Sequence, residues 1–227
     1  MMRLNYFILL LYSISSFSQN TALLINIDSI ISNDSNQKER KFTVLYHIEN
    51  LTNNPVSFIL NTNSIRPNAT SSMSYSPAYR LYQGDEIINS VSIFNSKTAN
   101  EEFQKIIKEL ELAQTKNGSK NNIYDDIAKN KRQISQNILN SIIKLNPKEI
   151  KKFSATLNWD KNRYSQYFDI EYYLNEKATH YFDLCINLMK EEFKEKVSSE
   201  DFKRILEDET IIKGWLQSNK MEINFKE

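Results

Sequence analysis

Residues 149 to 190 read EIKKFSATLNWDKNRYSQYFDIEYYLNEKATHYFDLCINLMK. Phe153, Ala155, Leu157 and Trp159 alternate with mostly polar residues. So do Phe168, Ile170, Tyr172 and Leu174, and again Ala178, His180, Phe182, Leu184, Ile186 and Leu188. A period of two marks a strand with one buried face, so the stretch predicts three consecutive β-strands in a meander. A three-residue loop, Asn175 to Lys177, sets Leu174 against Ala178, Tyr172 against His180 and Ile170 against Phe182, which puts both apolar sets on one face. One further loop residue would bring Tyr181, Asp183 and Cys185 to that face instead. The better register predicts His180 pointing inward beside Tyr172, and Tyr167, Tyr173 and Tyr181 on the outer face.

Outward from this stretch, the chain upstream is also strand-like. Thr21 to Ile31 is rich in Ile and Leu and predicts a first strand. Lys41 to Asn50 alternates, with Phe42, Val44, Tyr46 and Ile48 on one face. Leu51 to Pro55 is a turn, because Asn tolerates turn backbone and Pro cannot donate to a ladder. Val56 to Leu60 then returns, which predicts a strand pair with the segment before it. Asn61 to Ala78 is an irregular loop. Short strands follow at Tyr79 to Tyr82 and Glu86 to Phe94, around the turn Gln83-Gly84-Asp85.

From about residue 97 to 146 the period becomes helical. Thr98 to Glu101 fits a capping box, and Phe103, Ile106, Ile107 and Leu110 share a face. A second helix places Ile123, Ile127, Ile134, Ile138, Ile142 and Leu145 on one stripe and stops before Pro147. The segment therefore predicts an inserted helical hairpin. After Lys190, Ser198 or Ser199 caps a helix containing Phe202, Ile205 and Leu206. Ile211, Ile212, Trp215 and Leu216 form either a second short helix, which their spacing favours, or a strand, and Met221 to Phe225 reads as a closing strand.

Two blocks resemble immunoglobulin-like β-sandwich modules of exported proteins. Leu45 to Asn61 (LYHIENLTNNPVSFILN) is an apolar strand ending in an Asn-rich turn that returns at once. Leu145 to Trp159 (LNPKEIKKFSATLNW) is a Pro-led turn before an alternating strand. Lys148 departs from the pattern, in which glycine commonly follows the proline. The cysteine pair of antibody domains is also absent. The resemblance implies an architecture, a mainly β antiparallel sandwich carrying the helical hairpin and a C-terminal helical segment. It implies no activity, because function lives in sites grafted on folds.

The first residues, MMRLNYFILLLYSISSFSQN, combine Arg3, an apolar run from Tyr6 and the small residues Ser16 and Ser18 before Gln19. That is the pattern of a secretory signal peptide over residues 1 to 18. The run is short of the roughly 20 residues that span a bilayer. The expectation is a single exported domain over residues 19 to 227, without stable membrane insertion after cleavage, in the periplasm, the cell envelope or the medium. Cys185 is the one cysteine, so no internal disulfide forms. Sequons at Asn33, Asn50, Asn68 and Asn117 are expected by chance in so Asn-rich a chain.

The net charge of +1 argues against nucleic acid as a partner, and the 3 glycines argue against phosphate-cradling loops. His180 and Cys185 are the first suspects for a base and a nucleophile. An odd separation along one strand points them to opposite faces, which leaves no catalytic residue to nominate. Two histidines and no cysteine cluster give no metal centre and no cofactor. Asp160, Asp169, Glu171 and Asp183 are candidate carboxylate pairs, with a solvated strand face as the ordinary explanation. The outward tyrosines Tyr167, Tyr173 and Tyr181 are the candidate binding platform for a protein or glycan. Cross-strand pairing, or cover by the inserted helices, is the favoured explanation of them, because two amphipathic helices must bury their stripes somewhere. The sequence thus predicts an exported, non-enzymatic interaction module. An exported hydrolase or hydrolase-inhibitor domain, or a structural subunit of a secreted or envelope assembly, is the alternative.

Overall fold

The computed structural model of the chain describes residues 22–68, 75–88, 90–92, 123–160, 170–172, 175 and 177–225. The leader at residues 1–18, the first helix of the hairpin, Tyr167, Tyr173 and Asp169 lie outside the described residues. The elements run β1 (Leu23–Asn33), β2 (Glu39–Asn50), β3 (Val56–Ile59), β4 (Arg66–Pro67), β5 (Ala78–Gln83), β6 (Glu86–Ile88) and β7 (Ser90–Ser92). Then come α1 (Ile123–Asn140), β8 (Ile142–Leu145), β9 (Ile150–Asp160), β10 (Ile170–Tyr172), β11 (His180–Leu188), α2 (Ser199–Glu207), β12 (Gly214–Gln217) and β13 (Met221–Ile223). The protein is mainly β, and among the described strands every pairing is antiparallel except the short β4–β5 contact.

The strands of the 149–190 stretch form, but they do not form a meander. β9 joins β2 in a three-stranded sheet ordered β1-β2-β9, β10 pairs with β7, and β11 lies in a six-stranded sheet. β11 has β5 along one edge, and β12 and β13 along the other. His180 therefore sits opposite Gln83 and Ile223, not opposite Tyr172. Alternation fixes which face a residue occupies but not which strand lies beside it. The eleven residues of β9 match nearly the whole length of β2, from Glu39↔Asp160 to Glu49↔Ile150. Among the described residues of the stretch, no strand offers β9 so long a ladder, β11 having 9 residues.

The expected pair of β2 with β3 is corrected in the same way. Both edges of β2 are taken, by β1 and β9, and β3 pairs with β8 from Val56↔Leu145 to Ile59↔Ile142. Asn50 holds this branch point. Its buried amide donates to Asn54 O at 2.8 Å and, across the chain, to Asn146 O at 2.8 Å, while its carbonyl accepts from Thr52 N at 2.9 Å. The turn is locked to the β8–β9 connection, so β3 leaves the sheet of β2. The same burial removes the Asn50 sequon from the surface of the folded chain.

The second expected helix is shorter than its apolar stripe. α1 stops at Asn140, and Ile142 to Leu145, rich in branched residues suited to strands, form β8. Ser141 donates to Asn137 O at 2.6 Å, and Leu60 N donates to Ser141 O at 3.1 Å. These bonds close the helix and start the ladder. α2 begins where expected, with Ser198 Oγ accepting from Asp201 N at 3.1 Å. Residues 214 to 217 form β12 instead of a helix. Gly214 has φ 139°, which ends any helical run, and Trp215 and Leu216 pair with Asn187 and Ile186.

The inward faces of the three-stranded and six-stranded sheets share one core. Phe42, Val44, Tyr46 and Ile48 of β2 belong to it, as the alternation predicts, with Phe182, Leu184 and Ile186 of β11. Phe225 packs against Phe42 at 5.3 Å, Trp159 at 4.5 Å and His180 at 5.4 Å between ring centroids. One aromatic after the last strand thus touches β2, β9 and β11. Asn219 makes a polar tie, accepting from Ile27 N at 2.7 Å and donating to Ile27 O at 3.3 Å, beside the register shift in β1. A second, smaller core gathers Ile59, Ile138, Phe193, Val197, Ile205 and Ile211, and it seats α1 and α2.

Candidate functional site

Two of the surfaces built by the described residues bear on function. The first is the face of β11 turned away from the main core. Tyr181, Asp183 and Cys185 share this face, opposite Tyr82, Arg80 and Ala78 of β5. Asp183 is fully buried. Its carboxylate accepts from Arg80 Nε at 2.9 Å, Arg80 Nη2 at 2.5 Å, Tyr82 Oη at 2.8 Å and Gln217 Nε2 at 3.1 Å. A buried carboxylate with a bidentate guanidinium and two neutral donors has its charge and its lone pairs occupied. The bonds to Asp183 raise the Arg80 guanidinium further above its ordinary range. Burial first, then the bond to Asp183, pushes the Tyr82 phenol up to about 12. The Lys220 ammonium lies 4.0 Å from the Tyr82 ring centroid.

Cys185 completes that face. Burial pushes its thiol up to about 11, and Sγ lies 3.5 Å from Ala78 O. A thiol that holds its proton at neutral pH is a poor nucleophile. His180 is on the opposite face, edge-on to Phe225 in the main core, so the two suspects are separated by the sheet as their odd spacing predicts. Tyr181, of the predicted tyrosine platform, is half-buried beside Tyr82 and Glu222. Its face is held by the Asp183 network, which sequence reading missed. Asp183 appears in the sequence as one acid among 28, and only the β5–β11 register brings Arg80 to it. His47, off the apolar face of β2, has Nδ1 2.7 Å from Asp28 Oδ1. Among the described residues no group of three or more His, Cys, Asp or Glu converges as metal ligands do.

The second surface is a cavity of about 490 Å³ where the C-terminal half of α1 meets the loop after β3. Asn61, Asn63, Asn137 and Asn140 line it, with Tyr75 and Ser141. Ile134, 49% exposed, adds an apolar patch. No described lining residue carries a charge. The floor is tied down. Tyr75 OH and Ser141 Oγ are 3.0 Å apart, and the Tyr75 ring stands edge-on to Phe193 at 6.0 Å. Asn61 donates to Ser64 Oγ at 3.1 Å and to Ser76 Oγ at 3.3 Å, and it accepts from Asn63 N at 3.1 Å. The side-chain amides of Asn63, Asn137 and Asn140 are exposed and make no hydrogen bond among the described residues. Ligand pockets run from about 300 to 1,000 Å³, and this one falls in that range. Sequence reading missed it, because its four asparagines come from two segments 74 residues or more apart (63 to 137) and are indistinguishable there from the general Asn excess.

Comparison with known proteins adds no assignment: no family model matches the chain, and neither a curated protein nor a solved structure does. Among the described residues, no helix is long and apolar enough to cross a membrane.

Proposed function

We propose that the protein is an exported, non-enzymatic binding module. The two larger sheets stack as an immunoglobulin-like β-sandwich, and α1 with the loop after β3 forms its ligand site. The observation that carries this reading is the cavity whose described lining bears no charge, with its anchored floor and three amides that make no hydrogen bond among the described residues. Its described lining offers recognition groups and no carboxylate, imidazole, thiol or ammonium. The sandwich reading is supported by the core shared between the inward faces of the two sheets. Export rests on the leader-like residues 1 to 18. The non-enzymatic reading is supported by the separation of His180 from Cys185 and by the full set of donors on Asp183. Both are arrangements that fold a sheet and leave no reactive group poised.

Fractionation of the native host tests export. The expected result is a mature chain beginning near Gln19 in the exported fraction. Full-length chain confined to the cytoplasm contradicts it.

A further inference from the structure

We infer that the cavity at the end of α1 binds an uncharged carbohydrate; the inference rests on the binding-module reading and names its ligand class. Each sugar hydroxyl is both a donor and an acceptor, and so is each side-chain amide. Asn63, Asn137 and Asn140 present three unengaged amides around one cavity of about 490 Å³, enough for a short glycan segment. Asn137 and Asn140 are one helical turn apart, so their amides project together from α1. Across from them, Asn61 is held by Ser64 and Ser76, and the Tyr75 ring is held by Ser141 and Phe193. An aromatic face fixed in place suits the apolar C–H face of a pyranose, and fixed groups lower the ordering cost of binding.

Other ligand classes fit less well. A phosphate, uronate or other anion finds no lysine or arginine among the described lining residues, and a cation finds no carboxylate. Its desolvation would go uncompensated. An extended peptide needs a strand edge and successive apolar sub-pockets, whereas the apolar surface here is Ile134 and the ring of Tyr75.

The test is titration of the isotopically labelled protein with neutral gluco-, manno- and N-acetylglucosamine oligosaccharides, with oligogalacturonate as the charged control. The expected result is saturable binding of a neutral oligosaccharide that shifts the side-chain amide signals of Asn63, Asn137 and Asn140. Asn137→Ala and Asn140→Ala should each weaken it about tenfold, the loss of one hydrogen-bonding group. Both positions are exposed on a helix where alanine is well tolerated, so unchanged melting temperatures will verify folding. No binding by any neutral oligosaccharide, binding unchanged in both variants, or equal binding of oligogalacturonate overturns the inference. A non-carbohydrate ligand that shifts the same amide signals would overturn the carbohydrate assignment and leave the binding module standing.

Discussion

Lys148 has φ 61°, the one non-glycine with positive φ among the described residues. It follows Pro147 in the turn that closes with Glu149 N donating to Asn146 O at 3.1 Å. Proline at the second position and positive φ at the third define a type II turn, which favours glycine there. The departure from the family-like pattern was therefore legible as a residue, and the structure gives it a physical meaning. Part of the strain is offset, because Lys148 Nζ donates to Leu51 O at 2.6 Å and Glu149 Oε2 accepts Asn146 N at 2.7 Å. Lys148→Gly should stabilise the fold by about 0.5–1 kcal/mol through relief of the left-handed backbone. A denaturant midpoint that rises at constant slope verifies this, and a fall would mean that the lysine bond outweighs the strain. Asp183 is the opposite case. Nothing local in HYFDLCIN marks it as buried, because its partner Arg80 is 103 positions away.

At the scale of elements, strand existence was legible and strand partnership was not. β2, β9, β11 and α2 form close to where period and capping place them, since those signals are local. The meander failed because β9 matched the length of β2 and β11 was taken on one edge by β5 and on the other by β12 and β13. β11 shows why. His180, Phe182, Asp183, Leu184, Cys185 and Ile186 are all buried, so both of its faces are covered and it is a central strand. The polar face of that strand makes the β5–β11 pair sensitive to alkali. The Cys185 thiol rises from 9.0 to about 11 and the Tyr82 phenol from 10.0 to about 12, burial being the larger cause for both. Both neutral forms are favoured by folding. Their contribution is complete below about pH 9 and is lost as pH rises toward 11 and 12. Urea midpoints should hold near pH 8 and fall above pH 9, and Cys185→Ala should lessen the first part of the fall. An unchanged alkaline profile in that variant would show that the thiol is not buried as described.

The described residues form a large core, fed by β2, β9, β11 and their neighbours, and a smaller one that seats α1 and α2. The first was implicit in the alternating strands. The second was not, because Ile59, Ile138, Phe193, Val197 and Ile205 come from segments with no shared pattern. The cavity follows from this division. Ile138 anchors α1 on the small core, and Asn137 and Asn140 are left on the exposed side, facing the loop after β3. Tyr181, the described member of the predicted tyrosine platform, does not line this cavity, and recognition is assigned to the cavity. Its most direct test is retention from the native host's exported fraction on immobilised protein, beside an Asn137→Ala/Asn140→Ala double variant of unchanged melting temperature. The expected result is that the protein retains uncharged carbohydrate and the double variant does not. Retention of no carbohydrate, or equal retention by both, would contradict it.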